Sequence, residues 1–154
     1  MTLKYNSPIG IIKIEYSEKG ISKLIFIDKA EGEGLRADDK DMPIITQIDE
    51  YFKGNRKVFD LPLDLQGTDF QKRVWSELLK IPYGKTISYK ELSLKLGDVK
   101  AIRAVGTANG ANPVSIIVPC HRVIGSDGSL TGYAGGLWRK KWLLEFESQD
   151  RLLF

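Results

Sequence analysis

Along the first third of the chain, apolar and polar residues alternate. Ile11-Ile12-Lys13-Ile14-Glu15-Tyr16 and Ile21-Ser22-Lys23-Leu24-Ile25-Phe26-Ile27 flank a turn at Ser17 to Gly20. A period of two on either side of a Gly-containing turn predicts an antiparallel hairpin. Residues 28 to 42 are charged and Gly-bearing, which predicts an exposed loop, and Ile44 to Phe52 returns to helical spacing.

From Gly67 the period is helical. Thr68 with Gln71 forms a capping box ahead of Phe70, Val74, Trp75, Leu78 and Leu79, and this helix should stop at Ile81-Pro82-Tyr83-Gly84. A second box, Ser88 with Glu91, opens a short helix through Leu92 and Leu96 that Gly97 ends, and Asp98 caps a third helix over Val99 to Ala108. Two short helices across a tight Gly-Asp turn predict a helix-turn-helix, although ordinary helical hairpins share that pattern. The third helix is lean: Ala101, Ala104, Gly106, Thr107 and Ala108 are small, and Arg103 is its one long side chain after Lys100. An interior Gly costs a helix up to ~1 kcal/mol relative to Ala, so close approach is required, either of a neighbouring segment or of a narrow groove such as the DNA minor groove. Val114 to Val118 is a short β-branched run, expected as a buried strand. In a last helix Trp138, Trp142 and Phe146 mark an apolar face, with Glu145 and Glu147 both near its edges.

Composition narrows the classes. At 154 residues the chain can build a hydrophobic core without help from disulfides or metals. Nothing in it approaches the roughly 18 apolar residues of a membrane span, and its start lacks the apolar centre of a signal peptide, so it is expected to be soluble and cytoplasmic with no membrane partner; a monomer is also expected. Its one cysteine and one histidine cannot form a disulfide or a Cys/His zinc cluster, and no metal or cofactor is expected. The net charge of +3 is unevenly placed. Residues 1–67 hold 10 Lys/Arg against 12 Asp/Glu, residues 68–154 hold 13 against 8, and Val99 to Ser126 contains no acid. A basic C-terminal half favours a polyanionic partner, though a solvated basic surface explains the charge as well.

The candidate chemistry lies in Pro119-Cys120-His121-Arg122-Val123. A lone cysteine is most often an inert buried residue. Here the sole cysteine adjoins the sole histidine and an arginine, a base and a cation of the kind thiolate formation needs.

Many ordered segments from Gly67 to Glu147 carry a family likeness. They include Thr68-Asp69-Phe70-Gln71, Val74-Trp75, Ile81-Pro82-Tyr83-Gly84, Ser88-Tyr89, Arg103-Ala104-Val105-Gly106 and Asn109-Gly110-Ala111-Asn112-Pro113. Ile117-Val118-Pro119-Cys120-His121-Arg122-Val123-Ile124, Gly132-Tyr133-Ala134-Gly135-Gly136-Leu137 and Trp142-Leu143-Leu144 complete the series. The chain resembles the O6-alkylguanine-DNA alkyltransferases, also called methylated-DNA-protein-cysteine methyltransferases; residues 1 to 66 share only the general character of that family's smaller subdomain.

The resemblance implies an α+β fold: a small N-terminal β-sheet subdomain with a helix over 1–66, and a mainly helical domain over 67–154 with the helix-turn-helix and the active-site cysteine. It implies single-turnover transfer of an alkyl group from O6-alkylguanine in double-stranded DNA to Cys120. His121 would take the thiol proton through a water and Glu147 would orient the imidazole. Tyr89 and Lys140 would serve the base and the same site, and Arg103 would fill the stack behind a flipped guanine. Asn112 would brace the turn into the active site, Tyr133 and Ala134 would lie over the alkyl group, and Gln71, Ala104 and Gly106 belong to the matched DNA-facing segments. Zinc, held by some members in the N-terminal part, finds no ligands here, and Cys120 sets the chain apart from the branch with another residue at that position. Two rivals from other classes remain: a non-catalytic sensor of alkylated DNA, for which Cys120 is dispensable, and a cysteine hydrolase, which usually draws its histidine from elsewhere in the chain.

Overall fold

The computed structural model describes the backbone of residues 1–27 and 43–152 and the side chains up to 148. The loop expected over residues 28 to 42 lies outside the described residues. The chain divides into two compact units, Met1–Leu65 and Gln66–Phe154.

In the first unit, strands β1 (Thr2–Ser7), β2 (Gly10–Ser17) and β3 (Gly20–Ile27) form an antiparallel sheet in that order. The expected hairpin is β2–β3, with Ile12 opposite Phe26 and Ile14 opposite Leu24. Strand β1 was not foreseen: in six residues only Leu3 and Tyr5 are buried, too short an alternation to stand out. Helix α1 (Pro43–Phe52) contributes Ile45, Ile48 and Tyr51 to the core and accepts a 2.8 Å hydrogen bond from Tyr5 Oη at Asp49. This unit supplies no candidate site residue.

The second unit begins with α2 (Asp69–Leu78), opened by the Thr68–Gln71 capping box with both reciprocal bonds in place. Val74, Trp75 and Leu78 are buried, whereas Leu79, expected on the same face, is exposed at the helix end. The two-residue strand β4 (Ile87–Ser88) pairs in parallel with β5 (Val123–Ile124), a contact too short for sequence periodicity to reveal. Ser88 then caps α3 (Tyr89–Lys95) through the second capping box. Gly97, at φ +86°, reverses the chain. Asp98 caps a single 3₁₀ turn, Val99–Ala101, before α4 (Ile102–Gly110), so the third helix starts tighter and ends two residues later than expected. Trp75 Nε1 donates to the Ala108 carbonyl at 2.9 Å and ties α2 to α4.

Two further corrections concern the site. Val114 to Val118 is not a strand but a buried turn: Val118 N donates to Val114 O (3.1 Å) and Ile117 N to Ser115 O (2.8 Å). Asn112 closes it, accepting from Val114 N at 3.0 Å and donating to Val118 O at 2.7 Å. One buried amide thus satisfies backbone groups that a sheet would otherwise pair. The turn holds Ile116 at φ 72°, a region that costs a β-branched residue of order 1–3 kcal/mol. In α5 (Leu137–Leu152) the fully buried positions are Lys140, Leu143 and Glu147, not the expected tryptophan stripe. Trp138 is 58% exposed, and Trp142 and Phe146 stack on each other at 4.9 Å at the edge of the buried face. Two charged residues on the inner face disguised it, because periodicity counts them as outside. Among the described residues no helix is long and apolar enough to cross a membrane.

Asn112 should therefore be a stability hot spot. Asn112→Ala takes from buried Val114 N its partner and leaves Val118 O with Cys120 N alone, which should lower the unfolding free energy by about 1–3 kcal/mol, measured by urea denaturation; a loss within 0.5 kcal/mol, roughly the level of a neutral surface substitution, would show that the turn holds without it.

Candidate active site

The buried turn delivers Cys120 to the start of a 3₁₀ turn, Cys120–Arg122, whose three side chains are all buried. Cys120 is a free thiol with 6% of its surface exposed. Burial pushes it above its ordinary value, while the Asn112 amide, the Lys140 ammonium and a backbone donor pull the other way. The net direction is upward, so Cys120 rests as a thiol and its proton must leave during reaction.

His121 and Glu147 are almost wholly inaccessible, and His121 Nε2 lies 2.8 Å from Glu147 Oε2. Arg122 grips the same carboxylate with Nε on Oε1 (2.8 Å) and Nη2 on Oε2 (2.9 Å), and its Nη1 donates to Ile81 O at 2.7 Å. Burial by itself would raise Glu147, but His121 and Arg122 together hold it well below the usual carboxylate range. Since a guanidinium does not deprotonate, Arg122 is the permanent counter-ion. An ionised carboxylate only accepts, so the proton on the shared edge belongs to His121 Nε2. Burial keeps the imidazole below its ordinary value despite Glu147, with Arg122 and Lys140 acting in the same downward direction. His121 is therefore neutral at rest, and its Nδ1, which has no hydrogen-bond partner among the described residues, is a free base.

Lys140 is fully buried. Its Nζ donates to the Thr131 carbonyl at 2.8 Å and, at 3.4 Å, to Gly132 O. Burial brings it down to about 8, and a Cys120 thiolate acts in the opposite, upward direction. Tyr89 Oη donates to the same Thr131 carbonyl at 2.9 Å, and Lys140 Nζ stands 5.7 Å from the Tyr89 ring centre. The loop carrying Tyr133 and Ala134 is thus fastened to α3 and α5 through one carbonyl. Ala134 is exposed; the Tyr133 hydroxyl is buried beside Ser115 without a hydrogen-bond partner among the described residues. Burial pushes this phenol well above its ordinary value, and a Cys120 thiolate would push it the same way.

Cys120, His121, Glu147, Asn112, Lys140 and Tyr133 therefore share one neighbourhood, bordered by Tyr89. Arg103 and Ala104 instead lie exposed on α4. Among the described residues a Cβ added at Gly106 would meet only the Tyr89 ring, at an ordinary contact distance of 3.9 Å, so none of them demands the glycine. Gln71 is occupied in its helix cap. Two residues escaped sequence reading. The local motif presents Arg122 only as a cation near the thiol, because a bond to a residue 25 positions away leaves no local signal. Asn109, whose Nδ2 approaches the Cys120 carbonyl at 3.4 Å, shares the inner face of α4 with Val105 and Ala108. A polar residue at that helical spacing was the available clue.

Comparison with known proteins agrees over both units. Residues 2–65 match the ribonuclease-like domain of 6-O-methylguanine DNA methyltransferase, and residues 69–149 match its DNA-binding domain. A methylated-DNA–protein-cysteine methyltransferase of Methanosarcina barkeri is 48% identical over 149 residues, 94% of each chain. The protein of the same name from Mycolicibacterium paratuberculosis is 45% identical over 92% of this chain and 88% of its own. The crystal structure of Mycobacterium tuberculosis OGT in complex with DNA superposes with a TM-score of 0.85 at 45% identity, covering 95% of this chain and 91% of that one. Sequence and fold agree along nearly the whole length, and this chain belongs to the 6-O-methylguanine DNA methyltransferase family.

Proposed function

We propose that the chain repairs double-stranded DNA by moving the alkyl group of an O6-alkylguanine onto Cys120, once per molecule. The observation that carries this reading is a buried thiol next to a neutral histidine whose second ring nitrogen is locked on an ionised glutamate. Such a set removes a proton from sulfur where a thiolate could not persist unaided. The names of the relatives, methylated-DNA–protein-cysteine methyltransferase, supply the substrate class.

In the proposed reaction the thiol proton passes through a water to His121 Nδ1. The thiolate attacks the alkyl carbon, the S–C bond forms as the C–O bond breaks, and the electron pair leaves with the guanine oxygen. Lys140 steadies the thiolate, and Tyr89, released from Thr131, donates to the base as charge develops on it. The product is a thioether, which ordinary thiol exchange does not reverse. A base inside the stack is out of reach of a buried sulfur, so the nucleotide is flipped out. The lean α4 fits a groove about 6 Å wide, and the exposed Arg103 fills the gap in the stack. That no atom among the described residues demands Gly106 supports the groove over internal packing as the reason for it.

Intact-mass measurement after incubation with a duplex containing O6-methylguanine should show a gain of one methyl group on Cys120, with never more than one guanine repaired per chain. Cys120→Ser should bind the duplex and gain nothing, and Arg103→Ala should lose far more rate on the duplex than on free O6-benzylguanine. Binding without mass gain in the wild type would favour a sensor instead.

Lys140 gives a second prediction, with opposite signs for stability and activity. Its folded value of about 8 lies below the ordinary 10.5. The buried charge therefore weighs against the native state below pH 8, and that cost fades as pH rises toward 10.5. Lys140→Met should melt higher than the wild type at pH 7, with the difference shrinking across that window, while transfer at pH 7 drops about ten-fold or more as the thiolate loses its cation. A variant that melts lower at pH 7 would assign Lys140 a structural role.

A further inference from the structure

The charged and titratable groups acting on Cys120 and His121 are Glu147 and Lys140 from α5, Arg122 from their own turn, and Tyr133 from the covering loop. None of them receives the free side of the imidazole. Among the described residues His121 Nδ1 is buried without a partner, and so is Oδ1 of Asn109, a residue 2% exposed. The other end of that amide, Nδ2, faces the carbonyl of the peptide that joins Cys120 to His121, at 3.4 Å. One orphaned acceptor thus belongs to the side chain that approaches this peptide, and the other to the residue that completes it. A buried polar group without a partner costs about 1–3 kcal/mol, and a buried water normally makes about three hydrogen bonds.

We infer that Asn109 is a positioning residue for proton removal: its Oδ1 holds the water that carries the proton from Cys120 Sγ to His121 Nδ1. This rests on the proposed alkyl transfer and deepens it. The water donates one O–H to Nδ1 and the other to Asn109 Oδ1, which leaves its lone pair facing the thiol. As the S–H proton moves onto the water oxygen, the water's own proton moves onto Nδ1. A thiol and a neutral imidazole become a thiolate and an imidazolium, and the water is regenerated, still held by Asn109. Without that second anchor the water can turn its lone pair away from sulfur. Asn112 braces the backbone turn and its amide favours the thiolate, but its Oδ1 is already taken by Val114 N, so Asn109 carries the acceptor that Asn112 lacks.

The test uses iodoacetamide, which reads thiolate formation at the single cysteine with no DNA involved, alongside transfer from a methylated duplex. Asn109→Leu keeps the side-chain volume and removes the acceptor. Its labelling rate should fall about five- to ten-fold at neutral pH, the worth of one hydrogen bond, and converge on the wild type at high pH, where hydroxide removes the proton directly. Asn109→Ala leaves room for a second water and should fall between the two; if leucine does not pack, alanine carries the test. An unchanged profile, or a loss equal at every pH, would overturn the assignment. Failure of the wild type to take a methyl group from DNA while its labelling still depends on Asn109 would instead sink the alkyl-transfer reading and leave the relay standing.

Discussion

The Arg122–Glu147 pair is the interaction on which the rest of the site depends. Burying two charges is expensive, and a buried pair is tolerated only when its geometry is good and the remaining hydrogen-bonding capacity is filled. Here two short bonds join guanidinium and carboxylate, Ile81 O takes a third guanidinium proton, and His121 takes a remaining site on Glu147. The pair fixes the charge of Glu147, which fixes the imidazole tautomer, which frees Nδ1. It also pins α5 to the turn that carries Cys120.

Around that pair the fold carries costs that serve the thiol. Ile116 is held at positive φ so that the chain can reverse within a few residues and present Cys120 at the end of a buried turn. Lys140 is brought into the interior, where burial opposes its charge, and is steadied by the carbonyl that also receives Tyr89. Each feature would be a defect in a core selected for stability alone. Together they hold a cation and a base beside a sulfur that burial keeps protonated.

What could be read from sequence follows the range of the interactions. The capping boxes at Thr68 and Ser88, the β2–β3 hairpin and the Gly97 reversal are set by neighbours three or four residues apart, and each is found where the sequence places it. The motif around Cys120 was visible as chemistry because the only cysteine and only histidine adjoin. Illegible were the features that depend on distant partners. Val114 to Val118 has strand composition, yet Asn112 turns it back on itself. Glu147 and Glu145 are indistinguishable by spacing, and burial alone separates them, Glu147 inside and Glu145 in solvent. The inner face of α5 was hidden because Lys140 and Glu147 occupy it, against the expectation that charge lies outside.

Whether the site can take the thiol proton turns on the protonation state of one ring, and the chain has a single histidine, so one spectrum addresses it. In protein labelled with nitrogen-15, the His121 ring resonances at pH 7 should report a neutral imidazole with the proton on Nε2 and a bare Nδ1, and Glu147→Gln should disturb that pattern. An imidazolium at pH 7, or a neutral ring protonated on Nδ1, would contradict the account, because neither leaves a base facing Cys120.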